Sequence, residues 1–415
     1  MNKNTAKLQN NQRGNFMTGL KANIAIVLLI ALFIAACVFA SVFPYVTKVA
    51  HAEDSRKFET VGKSAYLVDY ASGSVMYARN ENERLPIASM VKIMTANLVF
   101  EAIERGELSL DDEVTVSQNS ASMGGSQVFL DADSKHKVGD LLRTVVVASA
   151  NDSCVALAEH IDGSVERFVA RMNERARELG MKDTRFVNCT GLPAPGGYSS
   201  AKDASVMFGE LIKHPVFFEY AKVWMEDYKH PSGRTTSISN TNKLVKFYKD
   251  CDGGKTGFTS EAKFCLTATA KRDDMRVIAV IIGADSSKNR NAAVSQMFDY
   301  AFAGFENKVL QKAGEPIDGT VEVLGGKQKS VKAMLNSDVV AFGEKNGKSS
   351  AEIRYDIKKS VKAPIKAGDV IGKAYLIKDG IVVKEEDVVA YESVERKSLF
   401  DAIRDVAHAW PTSVK

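Results

Sequence analysis

The chain has 415 residues, of which 45% are hydrophobic, enough for two domains with cores of their own. It holds 55 basic and 51 acidic residues, but the first 52 positions contain five basic residues and no acidic one, which leaves 50 basic against 51 acidic in the body. That balance lacks the basic surplus needed to track a phosphate backbone, so no nucleic-acid partner is expected.

In chain order, the basic N-terminal stretch is followed by an uncharged apolar run from Ile24 to Phe43 and then by Ala50-His51-Ala52. A positive region, an apolar region and a small-x-small end form the pattern of an export signal cut after Ala52. The run is also long enough to span a bilayer if it stays uncut. Ile34-Ala35-Ala36-Cys37 resembles a lipoprotein cleavage box, although the residues after Cys37 stay apolar. Each of these readings puts the body outside the cytoplasm. Four cysteines remain beyond Cys37: Cys154, Cys189, Cys251 and Cys265. Cys154 and Cys265 lie in apolar patterns and read as buried thiols, while four cysteines in principle allow three disulfide connectivities. No cysteine pair has ligand spacing and the six histidines form no cluster, so neither a metal nor another cofactor is expected.

From Ala65 to Arg79 two β-prone runs flank Ala71-Ser72-Gly73, a hairpin pattern. Pro86 precedes a helical run from Ser89 to Arg105 that stops at Gly106. An apolar segment, Leu141 to Ala148, leads into Ser149, and helical patterns follow at about 152–161 and 165–179, the latter ended by Gly180. After Asp250 the texture turns to strands at Lys255–Phe258, Phe264–Ala270 and Arg276–Ile282, the last two joined by a polar turn at Lys271–Asp274. A helix from about Asn291 to Phe302 closes this region. Strands and helices mix without a βαβ rhythm, which predicts an α+β fold with an antiparallel sheet packed with helices. From about 308 to 392, short alternating runs separated by glycines predict a small all-β module. In the tail, Ser398–Trp410 places Leu399, Phe400, Ile403, Val406, Ala407 and Trp410 on one helical face. The expected domains are therefore residues 1–52 (signal or anchor), 58–305 (catalytic), 308–393 (β-rich) and 396–411 (amphipathic helix).

Three elements carry chemistry. In Ser89-Met90-Val91-Lys92 the spacing lets a lysine amine reach a hydroxyl across one helical turn, where a neutral lysine can act as general base. Ser134–Lys137, Ser199–Lys202 and Ser260–Lys263 share that spacing. Ser89 stands apart by lying at a helix start within an apolar segment, where helix N–H groups point at developing negative charge. In Ser149-Ala150-Asn151, a hydroxyl and a carboxamide two apart can project into one cleft, although either is by itself an ordinary helix cap. There Ser149 would relay a proton between Lys92 and the leaving amine, and Asn151 would hold the lysine and a substrate carbonyl. Lys255-Thr256-Gly257 occurs once. On a strand, Lys255 and Gly257 face one side, glycine admits a close substrate backbone, and a second ammonium would lower the Lys92 pKa. The bland alternative is a glycine-rich loop with a solvated lysine.

Together, in this order, the three elements are those of serine acyl-enzymes built on Ser-x-x-Lys. The stretches Ala65–Asp69, Pro86–Thr95, Ser149–Ala158 and Asp252–Thr259, with Ala363-Pro364-Ile365 near the C-terminus, resemble the low-molecular-mass penicillin-binding proteins, the D-Ala-D-Ala carboxypeptidases of serine peptidase family S11. The resemblance implies a penicillin-binding, β-lactamase-like catalytic domain that removes the terminal D-Ala of peptidoglycan stem pentapeptides and is acylated by β-lactams. It implies Ser89 as nucleophile, Lys92 as proton acceptor, Ser149 and Asn151 completing the centre, Lys255 and Thr256 with Arg290 on the substrate carboxylate, and Gly257 and Phe258 as further substrate-binding positions. The backbone N–H groups of Ser89 and Phe258 would form the oxyanion hole. The short apolar face of the tail helix, ending in Trp410, suits a membrane surface, the alternative being packing against the β-module. Cys189-Thr190 and Gly197-Tyr198-Ser199 depart from the family pattern beside the cleft, which bears on substrate preference. The rival readings are a class A-like β-lactamase, whose Glu-x-x-Leu-Asn string is missing between Asn151 and Lys255, and a non-catalytic wall-binding protein on the same fold.

Overall fold

A computed structural model describes residues 59–347, 350–401 and 403–404. The export or anchor segment expected over residues 1–52 lies outside the described residues, as does the tail beyond 404. Among the described residues no helix is long and apolar enough to cross a membrane.

A five-stranded antiparallel sheet forms the spine, in the order Val75–Arg79, Ser64–Asp69, Met275–Ala284, Lys263–Arg272, Cys251–Thr259. Successive strand residues point to opposite faces. Residues 265–270 and 277–282 are buried without interruption, so both faces are covered. This accounts for the continuous apolar runs there. The Ser287–Gly304 helix packs on these two strands, and the Ala201–Leu211 helix packs on Met275–Ala284 and Ser64–Asp69. The tight turn between the two long strands is Asp273-Asp274, two residues rather than four, because pairing continues through Lys271–Arg276 and Arg272–Met275. Asp273 takes φ +52°, the left-handed conformation such a turn requires.

The helical layer centres on Lys92–Glu104, in which ten of 13 residues are buried. A helix apolar on nearly every side belongs in an interior, and Val138–Val147, Asn151–Asp162 and Val165–Glu178 surround it. The last of these begins on Ser164, whose side chain accepts from Arg167 N, and ends before Gly180 at φ +71°. The helix expected from Asn291 begins four residues earlier, at Ser287, with Ser286 as its cap. The hairpin of Met225–Lys229 with Thr235–Ser239 and the short pair Glu113–Thr115 with Lys135–Lys137 have no counterpart among the predicted elements.

From residue 305 to 398 the described residues form strands and their connections, with no helix. Phe305–Gln311 pairs with Val339–Glu344, and six strands form a second sheet in which only Ser360–Lys362 runs parallel to its neighbour. Val321, Val331, Leu335, Ile371 and Val388 fill its separate core. Asn307 Nδ2 donates to Asp69 Oδ1 at 2.8 Å, tying this module to the first sheet. Helix is present from Leu399 rather than 396, with Leu399, Phe400 and Ile403 exposed.

Candidate active site

The turn that carries Ser89 is shaped by two glycines from elsewhere in the chain. Ala88–Val91 forms a 3₁₀ turn and the α-helix starts only at Lys92, where the sequence suggested helix from Ser89 onward. A Cβ on Gly191 would lie 2.0 Å from the Ala88 carbonyl oxygen, and one on Gly257 would lie 2.4 Å from that of Ile87. Two segments therefore press on this turn at distances only glycine tolerates, and Ala88 itself sits at φ +47°. Gly257 makes room for the Ser89 turn, a reason that its sequence context did not suggest.

Ser89 is half-buried, whereas Lys92 is only 1% exposed. Lys92 Nζ lies 3.0 Å from Ser89 Oγ and donates to the Thr190 carbonyl at 2.5 Å. Burial lowers the lysine pKa, opposed by the fields of Cys154, Cys189 and Asp152. Burial, and not the neighbouring Lys255 charge, is thus the main cause of that lowering.

Ser149 follows the Val138–Val147 helix at φ +63°, a position where glycine is the common residue. A buried serine held there costs about 1–3 kcal/mol of backbone strain. The return is a placement: Lys255 Nζ donates to Ser149 Oγ at 2.8 Å, across 106 residues of sequence. Lys255 is 4% exposed, its other partner is the Thr256 carbonyl at 3.0 Å, and its pKa is driven well down, first by burial and then by the Lys92 charge. Asn151 does not touch Lys92, contrary to expectation. Its Nδ2 donates to the Gly124 carbonyl at 2.6 Å and its backbone N–H to Ser126 O at 2.7 Å, while Oδ1 is buried without a partner. The adjacent Asp152 carboxylate accepts from the N–H groups of Val128 and Leu130, so the start of this helix anchors the whole 124–130 loop.

Lys255, Thr256 and Gly257 lie on the outermost strand of the sheet, and all three are buried, while Phe258 is exposed. An edge strand presents backbone groups to an added extended chain. Arg290, on the following helix, is 4% exposed and bonds Asn291 Oδ1, Ser287 Oγ and, at 3.4 Å, the carbonyl of Cys265, the residue paired with Gly257. Burial lowers its pKa to about 10, and its charge in turn reaches Lys255. Thr190 and Asn188 were missed as site residues. Thr190 acts through its backbone carbonyl, which no side-chain pattern reports. All four cysteines of the body are free and buried. Among the described residues no group of histidine, cysteine and carboxylate side chains could hold a metal ion.

The assembled site has an accessible hydroxyl beside a desolvated amine, with a second hydroxyl–amine pair and an open strand edge alongside. Such a set can form and break an ester without a metal. The sequence model of a family described as D-alanyl-D-alanine carboxypeptidase matches residues 48–286, and that of the penicillin-binding protein 5 C-terminal domain matches residues 305–396. The D-alanyl-D-alanine carboxypeptidase DacF of Bacillus subtilis (strain 168) is 40% identical over 350 residues, covering 84% of this chain and 90% of that protein. The crystal structure of penicillin binding protein 5 from Haemophilus influenzae superposes with a TM-score of 0.67 at 32% identity, covering 82% of this chain and 99% of that one. That of a peptidoglycan synthesis regulatory factor (PBP3) from Streptococcus pneumoniae gives 0.68 at 27% identity, covering 81% and 100%.

Proposed function

We propose, because this chain belongs to the D-alanyl-D-alanine carboxypeptidase family, that it hydrolyses the terminal D-Ala from peptidoglycan stem pentapeptides through an acyl-enzyme on Ser89. The observation that carries this reading is the 3.0 Å approach of a buried, pKa-lowered Lys92 amine to a solvent-accessible Ser89 hydroxyl. As a neutral amine, Lys92 takes the Ser89 proton while the oxygen attacks the penultimate D-Ala carbonyl. The oxyanion falls to the backbone N–H groups of Ser89 and Phe258, a contribution of about 3–4 kcal/mol per donor in comparable sites. Ser149, bonded to Lys255, relays that proton from Lys92 to the departing D-Ala amine, which restores both groups. Lys255 and Thr256 take the terminal carboxylate, and Arg290 adds charge from behind the strand. The substrate lies along the edge strand, with its amide N–H groups within reach of Asn151 Oδ1. Water then hydrolyses the ester. A β-lactam mimics the scissile bond and acylates the same serine.

The body, with a catalytic domain over 58–305 and a β-module over 308–393, works outside the cytoplasm after export by the 1–52 segment. The exposed Leu399, Phe400 and Ile403 support a membrane-surface role for the tail helix.

Fluorescent penicillin tests the assignment. The wild type is labelled covalently and Ser89→Ala is not. D-Ala release from a diacylated Lys-D-Ala-D-Ala peptide falls by roughly 10⁴-fold or more in the variant. An unlabelled wild type favours the non-catalytic reading, and rapid nitrocefin turnover favours the β-lactamase.

A further inference from the structure

The segment 188–192 touches both halves of the Ser89–Lys92 pair. Its Thr190 carbonyl meets Lys92 Nζ at 2.5 Å, and its Gly191 lies against the backbone of Ala88 and Ser89. Thr95 Oγ1 donates to its Cys189 carbonyl at 2.7 Å, and Asn188 organises the rest of the segment. Asn188 Oδ1 accepts from Gly191 N at 2.6 Å, from Thr190 N at 3.2 Å and from Thr190 Oγ1 at 3.3 Å, while its Nδ2 donates to the Leu192 carbonyl at 2.9 Å. Thr190 Oγ1 accepts from Leu192 N at 3.3 Å, closing the turn on itself. No other side chain among the described residues makes a hydrogen bond to the backbone of 190–192 beyond Asn188, Thr190 and Lys92.

We propose that Asn188 is a positioning residue for acylation: by fixing the Thr190 carbonyl it directs one N–H of Lys92 away from Ser89 and so turns the amine lone pair toward the Ser89 hydroxyl. A carbonyl can only accept, so whichever protonation state Lys92 adopts, an N–H must point at Thr190. In the neutral amine that requirement restricts where the lone pair lies. The same carbonyl stabilises the ammonium more than the amine, because a charged donor makes the stronger bond. Removing Asn188 therefore has two linked effects. Acylation slows, because the lone pair is misdirected. The acid limb of the acylation profile, where Lys92 loses its proton, moves to lower pH. The charged and titratable groups that act on Lys92 are Lys255, Asp152, Cys154 and Cys189. Asn188 hydrogen-bonds none of them, so a moved limb reports on the turn.

This inference rests on Lys92 being the base of the proposed acylation. The experiment measures the second-order acylation rate of the full chain by a chromogenic β-lactam across pH, for wild type, Asn188→Ala and Asn188→Asp, normalised to folded protein by thermal unfolding. The expected result is a plateau roughly ten- to a hundredfold lower in N188A, the scale of a small misplacement of a catalytic group, with its acid limb displaced downward. N188D keeps the acceptor for both N–H groups but loses the Nδ2 donation to the Leu192 carbonyl, so its plateau falls less than that of N188A, and its added negative charge beside the turn moves the limb upward. A wild type that is not acylated at Ser89 overturns the functional reading itself. A wild type with an acid limb, and an N188A with an unchanged rate or a lower rate at an unmoved limb, overturns the positioning role alone. If N188A does not fold, an unmoved limb in N188D does the same.

Discussion

Lys92 and Lys255 are two buried amines whose pKa values are both held below the ordinary lysine range, chiefly by loss of hydration. Linkage turns that into a statement about stability. An unfolded lysine binds its proton up to about pH 10.4, while the folded one releases it earlier, so between the lowered folded pKa and about 10.4 the unfolded chain holds more protons and stability rises with pH. Below the folded pKa the full penalty of a buried ammonium applies. Comparing wild type with Lys92→Met isolates this contribution. The melting temperature of wild type relative to K92M should climb as pH is raised toward 10, by about 1.4 kcal/mol of stability for each unit of pKa displacement. A wild-type melting temperature that stays level or falls relative to K92M as the pH rises would show that Lys92 is not desolvated as described. Ser149 belongs to the same pattern. A left-handed serine is poor design for a helix end, and it is kept where its hydroxyl meets Lys255.

At the level of elements, the site depends on how closely the edge strand and the 188–192 turn approach the Ser89 turn. A Gly257→Ala change puts a methyl 2.4 Å from the Ile87 oxygen. Its expected consequences are about 1–3 kcal/mol of destabilisation and a roughly hundredfold slower acylation. Stopped-flow acylation with a parallel denaturant titration measures both, and near-normal acylation in a folded G257A would mean that the strand can retreat without moving Ser89. What the sequence made legible divides along the same lines. The helix holding Lys92 and the Cys251–Thr259, Lys263–Arg272 and Met275–Ala284 strands were visible because local periodicity and turn residues encode them. The Lys92–Thr190 contact spans 98 residues and ends on a main-chain oxygen, so nothing local announces it. The Met225–Lys229 hairpin was hidden for another reason. Each of its strands has one buried residue, Tyr228 and Ile238, in a mostly polar sequence, and Tyr228 meets His136. Asn151 is the instructive miss. Its motif predicted a partner for Lys92, but its carboxamide instead secures a loop whose position depends on Asp152 next door.

Over the whole molecule, the proposed chemistry and the proposed membrane attachment fall to different parts of the chain. The reactive groups all lie before residue 291, and the exposed apolar side chains Leu399, Phe400 and Ile403 come after a β-module with its own core. Ending the chain at Lys397 should therefore abolish co-sedimentation with anionic phospholipid vesicles while leaving D-Ala release from a soluble peptide unchanged. Retained vesicle binding would point to the β-module or to an uncut Ile24–Phe43 run, and lost activity would mean that the tail supports the fold.

The company kept by the three buried cations has one more consequence. Lys92, Lys255 and Arg290 direct their N–H groups at hydroxyls, carbonyls and an amide, and none meets a carboxylate. A ligand that brings its own carboxylate supplies the first one in direct contact with them, which raises the affinity of the amines for protons. Association should then draw protons from the surrounding solution. Calorimetric heats in buffers of unlike ionisation enthalpy should diverge, and the affinity of a non-reactive carboxylate analogue should weaken as the medium becomes more alkaline. Buffer-independent heats would mean that the lysines keep one protonation state throughout.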